Sequence, residues 1–300
     1  MTETLTRGRY SAFVLALLWG LSAVPAQAET CVTDDTDRKV CLARPASRIV
    51  ALSPGATELV FAAGAGDQVV GVVSFSDYPP EARQRQSVGS HTRLDLETLL
   101  ALEPDLLVGW VTGNPAEQLE RLQGLGLPLY LSEPRRFEDV ATSLERLGAL
   151  AGTRDTARAV ADDFRVGIEA LRERHRDAAP VRVFYQVWDE PLMTVNDEHL
   201  ISQAMALCGG DNVFGELPRL VPRISEEAVL GADPEAIVAG GMGEENRDWL
   251  DAWERFEELS AVRRDNLFFV PPSLIQRPTP RLLEGTRILC DHLETARGRG

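Results

Sequence analysis

Groups able to make or break bonds are sparse in this chain of 300 residues. Its histidines, His91, His175, His199 and His292, are scattered, and no two cysteines stand in the CxxC spacing that zinc sites use. No P-loop and no GxSxG elbow occurs, so neither phosphate cradling nor an activated serine is indicated. Gly64 and Gly66 superficially suggest a dinucleotide loop, but they follow a helical pattern rather than a strand and read as a helix stop. Adjacent acids in "GMGEENRDW" suggest a metal or catalytic pair, and a solvated loop explains them as well. What remains is chemistry of contact. Trp110 and Trp188 each close an apolar strand pattern, and Tyr78 precedes two prolines that stiffen its loop. Aromatic groups at the carboxyl ends of strands suit a large planar ligand, because they give broad contact at low entropic cost.

The elements that hold these residues alternate. After an Asp-rich hairpin pattern comes a short strand, "RIVALS", whose Ser53 caps a helix with Pro54 at its first position. "QVVGVVS" is the next strand, Asp95 caps "LETLLALEP", and Pro104 stops it. "DLLVGW" is a buried strand, "PAEQLERLQGLG" a helix and "LPLYLS" a strand. Residues 153–177 form one long helical pattern with Ala157, Val160, Phe164, Ile168 and Leu171 on one stripe. The second half then reads "VRVFYQVW" as strand, "LISQAMALCG" and "EEAVLGADP" as helices, and "AIVAGG" as strand. "RDWLDAWERFEEL" follows as helix, "LFFVPPS" as strand and "PRLLEGTRILCDHLETAR" as a closing helix. Alternation of this kind predicts parallel sheets covered on both faces.

The halves also repeat. "LDLETLLALEPDLLVGW" returns as "ISEEAVLGADPEAIVAG" without gaps at an offset of 227 − 97 = 130, which aligns Asp95 with Ser225, Glu97 with Glu227 and Pro104 with Pro234. "AAGAGDQVVG" likewise resembles "ALCGGDNVFG", with Asp67 against Asp211. The expected fold is α/β: two Rossmann-like lobes joined by one long rigid helix, with a ligand cleft between the lobes. The expected divisions are a signal peptide at 1–28, a hairpin at 29–45, a first lobe at 46–152, the connecting helix at 153–177 and a second lobe at 178–300.

A formal net charge of −15 supplies no basic footprint for nucleic acid or an anionic membrane surface. Arg7 and Arg9 precede the apolar run 12–24, and "AQA" before Glu29 has the small-x-small form of a cleavage site. A cleaved, exported chain that is not lipid-anchored is therefore expected. Removal of Glu3, Arg7 and Arg9 takes the charge to −15 − 1 = −16. Four cysteines in an exported chain imply disulfides, with three pairings available. The hairpin pattern makes Cys31 and Cys41 cross-strand neighbours, which leaves Cys208 with Cys290.

Over the whole mature length the chain resembles the substrate-binding proteins of ABC importers for metal chelates, the group that serves siderophores, haem and cobalamin. "SDYPP", "LEPDLLVGW", "CGGDNVFG" and "PRISEEAVL" carry the resemblance and are most similar to the cobalamin-binding members. It implies that Tyr78 and Trp110 line a corrin pocket, that Arg277 lies near the ligand, and that Trp188 faces it. It further implies that Glu97 and Glu227, one per lobe, dock onto arginines of the membrane permease. His91 and Val221 stand where those members carry tryptophans, and Ser273 replaces an aspartate. His91 is thereby a candidate edge contact or metal ligand. The implied function is capture of cobalamin in the periplasm by a monomer. Delivery is to the permease and ATPase subunits of an importer, with no catalysis, no resident cofactor and no protein-held metal. A ferric siderophore or haem is the alternative ligand, and an exported α/β enzyme the alternative of another class.

Overall fold

The computed structural model describes residues 1–2, 29–241 and 243–300. The expected signal peptide lies outside the described residues, apart from its first two. Among the described residues no helix is long and apolar enough to cross a membrane.

The described chain opens on an antiparallel hairpin, β1 (Thr30–Thr33) and β2 (Lys39–Leu42), in which Cys31 faces Cys41 and is bridged to it. Asp34 makes the turn: its carboxylate accepts the backbone N–H groups of Thr36 and Arg38. β3 (Ile49–Ala51) follows, then α1 (Pro54–Val60), capped by Ser53 at 3.0 Å, β4 (Val69–Val72), and short β5 (Gln86–Ser87). A small hairpin, β6 (Gly89–Ser90) and β7 (Arg93–Leu94), leads into α2 (Leu96–Ala101), β8 (Leu106–Trp110), α3 (Ala116–Gly124) and β9 (Leu129–Ser132). These strands form a parallel sheet ordered β5-β4-β3-β8-β9.

α4 (Phe137–Ala151) and α5 (Arg154–Arg174) come next. α4 has no counterpart among the sequence expectations. Its polar positions 138, 139, 142, 145 and 146 recur at helical spacing, and Asp139 at its start and Gly152 at its end carry readable signals, so the pattern was legible and passed over. Asp139 accepts the backbone N–H of Arg136 at 3.0 Å, and Gly152 ends the helix at φ 76°. A Cβ on Gly148 would lie 2.2 Å from the Cβ of Ala157, so only glycine lets α4 and α5 pack this closely. α5 buries Ala157, Ala161, Phe164, Ile168 and Leu171, while Val160 is only partly covered.

The second lobe contains β10 (Val181–Gln186), α6 (Leu200–Leu207), β11 (Gly210–Asn212), α7 (Glu226–Ala232) and β12 (Ala236–Ala239). α8 (Asp248–Asp251), α9 (Ser260–Arg263), β13 (Leu267–Phe269), α10 (Pro272–Ile275) and α11 (Leu282–Gly298) complete it. Its parallel sheet runs β11-β10-β12-β13, the same connectivity as β4-β3-β8-β9. The expected single helix over 247–259 is instead α8 followed by a tighter turn over Ala252–Arg255, which lets Trp249, Leu250 and Trp253 all turn inward. Cys208 and Cys290 join α6 to α11. One core runs through both lobes, from Ile49 and Val108 under α4 and α5 to Val183, Val238 and Leu289. The lobes are thus fused along one side by shared apolar packing, as well as by the long helix.

Candidate ligand-binding site

Loops beyond the carboxyl ends of strands from the two sheets meet. Arg277, beyond the end of β13, reaches the loop that follows β4 and bonds the Asp77 carboxylate at 2.9 Å and the Phe75 carbonyl at 3.2 Å. The space between the strand ends is the cleft, and strand order there matches the place where open α/β sheets take their ligands.

Trp110 is the last residue of β8 and half-buried. Its backbone N–H is accepted by the Asn114 side chain at 2.7 Å, and the same amide donates to the His91 carbonyl at 2.9 Å and to Leu52 at 2.8 Å. Asn114 thereby ties the β8 end to the His91 loop, and the two rings lie 6.0 Å apart at 38°. Burial lowers the His91 imidazole below its ordinary value, so the ring is neutral near pH 7 and keeps a free lone pair.

On the opposite lobe Trp188 lies two residues beyond β10, not in it as the pattern suggested. A single bridge to Met193 holds it, and its indole N–H donates to the Glu190 carbonyl at 3.0 Å. Its ring is 43% exposed and rests edge-on against Trp249, 5.7 Å away. Trp249 is a support that sequence reasoning missed; its signal is the doubled tryptophan of "DWLDAW". Trp253 extends the same cluster through Phe184, and its N–H is accepted by buried Gln186 at 2.8 Å.

Tyr78 is 44% exposed at the cleft edge, with the guanidinium of Arg281 4.0 Å over its ring centroid. Arg277 is committed elsewhere than to open solvent: besides Asp77 it holds the Glu58 carboxylate at 2.8 Å. Glu58 comes from α1 and also accepts Thr279 at 2.8 Å and Arg281 at 3.3 Å. Sequence reasoning passed over this buried acid because it sits on an otherwise apolar helix face; an acid on such a face was the available signal. Ser273 bonds Glu244 at 2.7 Å and Arg281 at 3.2 Å. Val221 is half-buried. Glu97 and Glu227 are both exposed, in the first turns of α2 and α7.

A separate hollow of about 610 Å³ lies beside the β1–β2 turn and the starts of α4 and α6. Some of its lining charges are paired, Arg146 to Asp35 at 2.7 Å and Arg136 to Asp139 at 3.0 Å among them, and it has no aromatic wall. The strand-end loops, by contrast, carry the His91–Trp110 pair in one lobe and the Trp188–Trp249 pair in the other.

Two parallel-sheet lobes on a shared helical backbone, with such a cleft between them, define a substrate-binding protein. The chain belongs to the periplasmic binding protein family, whose sequence pattern it matches over residues 49–274. It is 35% identical over 252 residues to a vitamin B12-binding protein of Vibrio cholerae, across 84% of this chain and 91% of that one. A vitamin B12-binding protein of Yersinia pestis is 33% identical across 84% and 88%. The crystal structure of the periplasmic vitamin B12 binding protein of Vibrio cholerae superposes with a TM-score of 0.77 at 34% identity, covering 84% of this chain and 98% of that chain. The fold is shared also with a periplasmic heme-binding protein from Roseiflexus, at a TM-score of 0.74 and 23% identity over 83% and 99%.

Proposed function

We propose that this protein captures cobalamin in the periplasm and delivers it to an ABC importer. The observation that carries the reading is a pair of aromatic groups near the strand ends, His91 with Trp110 on one lobe and Trp188 with Trp249 on the other. The vitamin B12-binding relatives, a third identical over most of both chains, support the choice of ligand. In this reading Trp110 and Trp188 take the corrin faces, Tyr78 closes the rim, and His91 reaches an edge amide or the cobalt. Arg277 acts at the cleft edge while bound to Glu58 and Asp77. The chain makes and breaks no bond, and ATP hydrolysis belongs to the partner. Export by a cleaved signal peptide and a monomeric state complete the proposal, together with the lobe divisions given above.

Titration with cobalamin, haemin and a ferric siderophore tests this directly. A saturable cobalamin spectrum with quenched tryptophan fluorescence is expected. Trp110→Ala and Trp188→Ala should each weaken cobalamin binding by about ten- to a hundredfold, the range of a buried aromatic anchor. No response to cobalamin with a Soret shift on haemin would transfer the protein to the second reading. The neutral ring of His91 beside Trp110 is the feature that favours haem in that case. For docking, Glu97→Arg with Glu227→Arg should abolish transport and leave cobalamin binding intact; loss of both would sink the docking role.

A further inference from the structure

Three leucines among the described residues are exposed: Leu100, Leu125 and Leu230. Two of them occupy the same position of the internal repeat, since 230 − 100 = 130, the offset that relates Glu227 to Glu97. Each follows its glutamate by three residues and therefore shares its helix face. The neighbouring positions, Leu99 and Val229, are fully buried, which fixes the outward direction of both faces.

The helices carrying these pairs are braced identically. Asp95 and Ser225 cap α2 and α7 by accepting the N–H of Thr98 and Ala228. Arg48 and Arg182, at the starts of β3 and β10, donate to the repeat-matched carbonyls Leu102 and Ala232 at 2.8 and 2.6 Å. Asp105 and Glu235 accept the backbone N–H groups of those same arginines at 2.8 and 3.0 Å. Glu103 and Asp233 both take the left-handed backbone, at φ 46° and 43°, before a buried proline. A surface held so alike in two lobes fits a partner that presents the same surface twice. The strand ends differ in their aromatic residues: β8 ends in Trp110, whereas β12 runs into Gly240 and Gly241.

We propose that Leu100 and Leu230 are paired apolar anchors that seat the two lobes in equivalent apolar recesses of a two-fold permease, each recess flanked by a basic group facing Glu97 or Glu227. This rests on the docking reading given above and adds to it the contact that excludes water around the charge pair. Exposed acids alone give salt-screened attraction and orientation, whereas a desolvated leucine at the centre slows dissociation.

The test measures binding of the full chain, loaded with cobalamin, to the permease–ATPase complex in nanodiscs. Leu100→Ser and Leu230→Ser should each weaken docking by about tenfold and the double variant by about a hundredfold. Lowering the salt should not restore it. Leu125→Ser, exposed but outside the repeat, should dock as the parent does. Glu97→Arg with Glu227→Arg should fail in a salt-dependent manner. If the leucine pair docks normally while the glutamate pair fails, the anchors are refuted and the docking reading stands. If both pairs dock normally, the docking reading falls and takes the anchors with it. A parent chain that self-associates, and a leucine pair that does not, would assign the face to a second copy and overturn the proposal. Leu100→Gln with Leu230→Gln replaces the serine pair should that pair fold poorly.

Discussion

Glu58 is the residue on which the cleft edge turns. A carboxylate with 2% of its side chain exposed meets two guanidinium groups and one hydroxyl from the opposite lobe. Charges taken out of water are tolerable when paired and hydrogen-bonded, and here three donors reach both carboxylate oxygens. Removing the acid leaves Arg277 with Asp77 alone and takes from Arg281 its carboxylate partner. Glu58→Gln should therefore cost about 3–5 kcal/mol in urea denaturation, far more than the loss of an exposed ion pair such as Arg172–Glu169. A Glu58→Gln chain with parental stability would show that the arginines do not depend on it. The same substitution should loosen the Tyr78 loop, because Arg281 holds both Glu58 and the tyrosine ring.

Among the elements, the two disulfides do unequal work. Cys31–Cys41 closes a separation of 10 residues, and Cys208–Cys290 one of 82. In the chain-entropy account the longer loop restrains the unfolded chain more, by about 4–5 kcal/mol against about 3. Cys208 and Cys290 are also fully buried. Replacing both by alanine should lower the urea midpoint more than replacing the hairpin pair; equal losses would contradict the loop-length argument. Helix α7 depends on its cap in a smaller way. Ser225→Ala removes the acceptor for Ala228 N–H and should cost about 1 kcal/mol, with α2 unaffected because its cap is in the other lobe.

For the whole molecule, the shared core and the α4–α5 pair limit how far the lobes can part. Ligand binding should change the distance between spin labels on α2 and α7 by less than about 2 Å; a wide closure would contradict the fused core. Acid should weaken the junction. His199 caps α6 through a lone pair that accepts the Ile201 N–H at 3.1 Å, and burial with the nearby Arg135 lowers it from 6.5 to about 4. The unfolded chain then binds the proton more readily than the folded one. The stability contributed by neutral His199 is complete above about pH 6.5 and is lost as the pH falls through about 4. A loss on the order of 2 kcal/mol is expected across that window. His199→Asn keeps a cap acceptor and should flatten the thermal midpoint over the same range.

Local pattern was enough to read α1, α2, α3, α5 and most strands, because capping residues, proline stops and apolar periods act over a few residues. It was also enough to expose the repeat, and so the likeness of the two lobes. Reading by pattern misplaced the helix over 247–259, where the chain tightens after Asp251, and passed over α4, whose polar stripe and Gly152 stop are present in the sequence. It singled out Tyr78, Trp110 and Trp188 one at a time, and Arg277 entered only through the family resemblance. Their company came from the fold: the support of Trp249 under Trp188, Asn114 between Trp110 and His91, and Glu58 under Arg277. Those partners lie 61, 23 and 219 residues apart along the chain in the widest case of each. The folding of each lobe makes the first two contacts and the meeting of the lobes makes the third, since side-chain contacts fall off over a few ångströms whereas sequence order does not measure space at all.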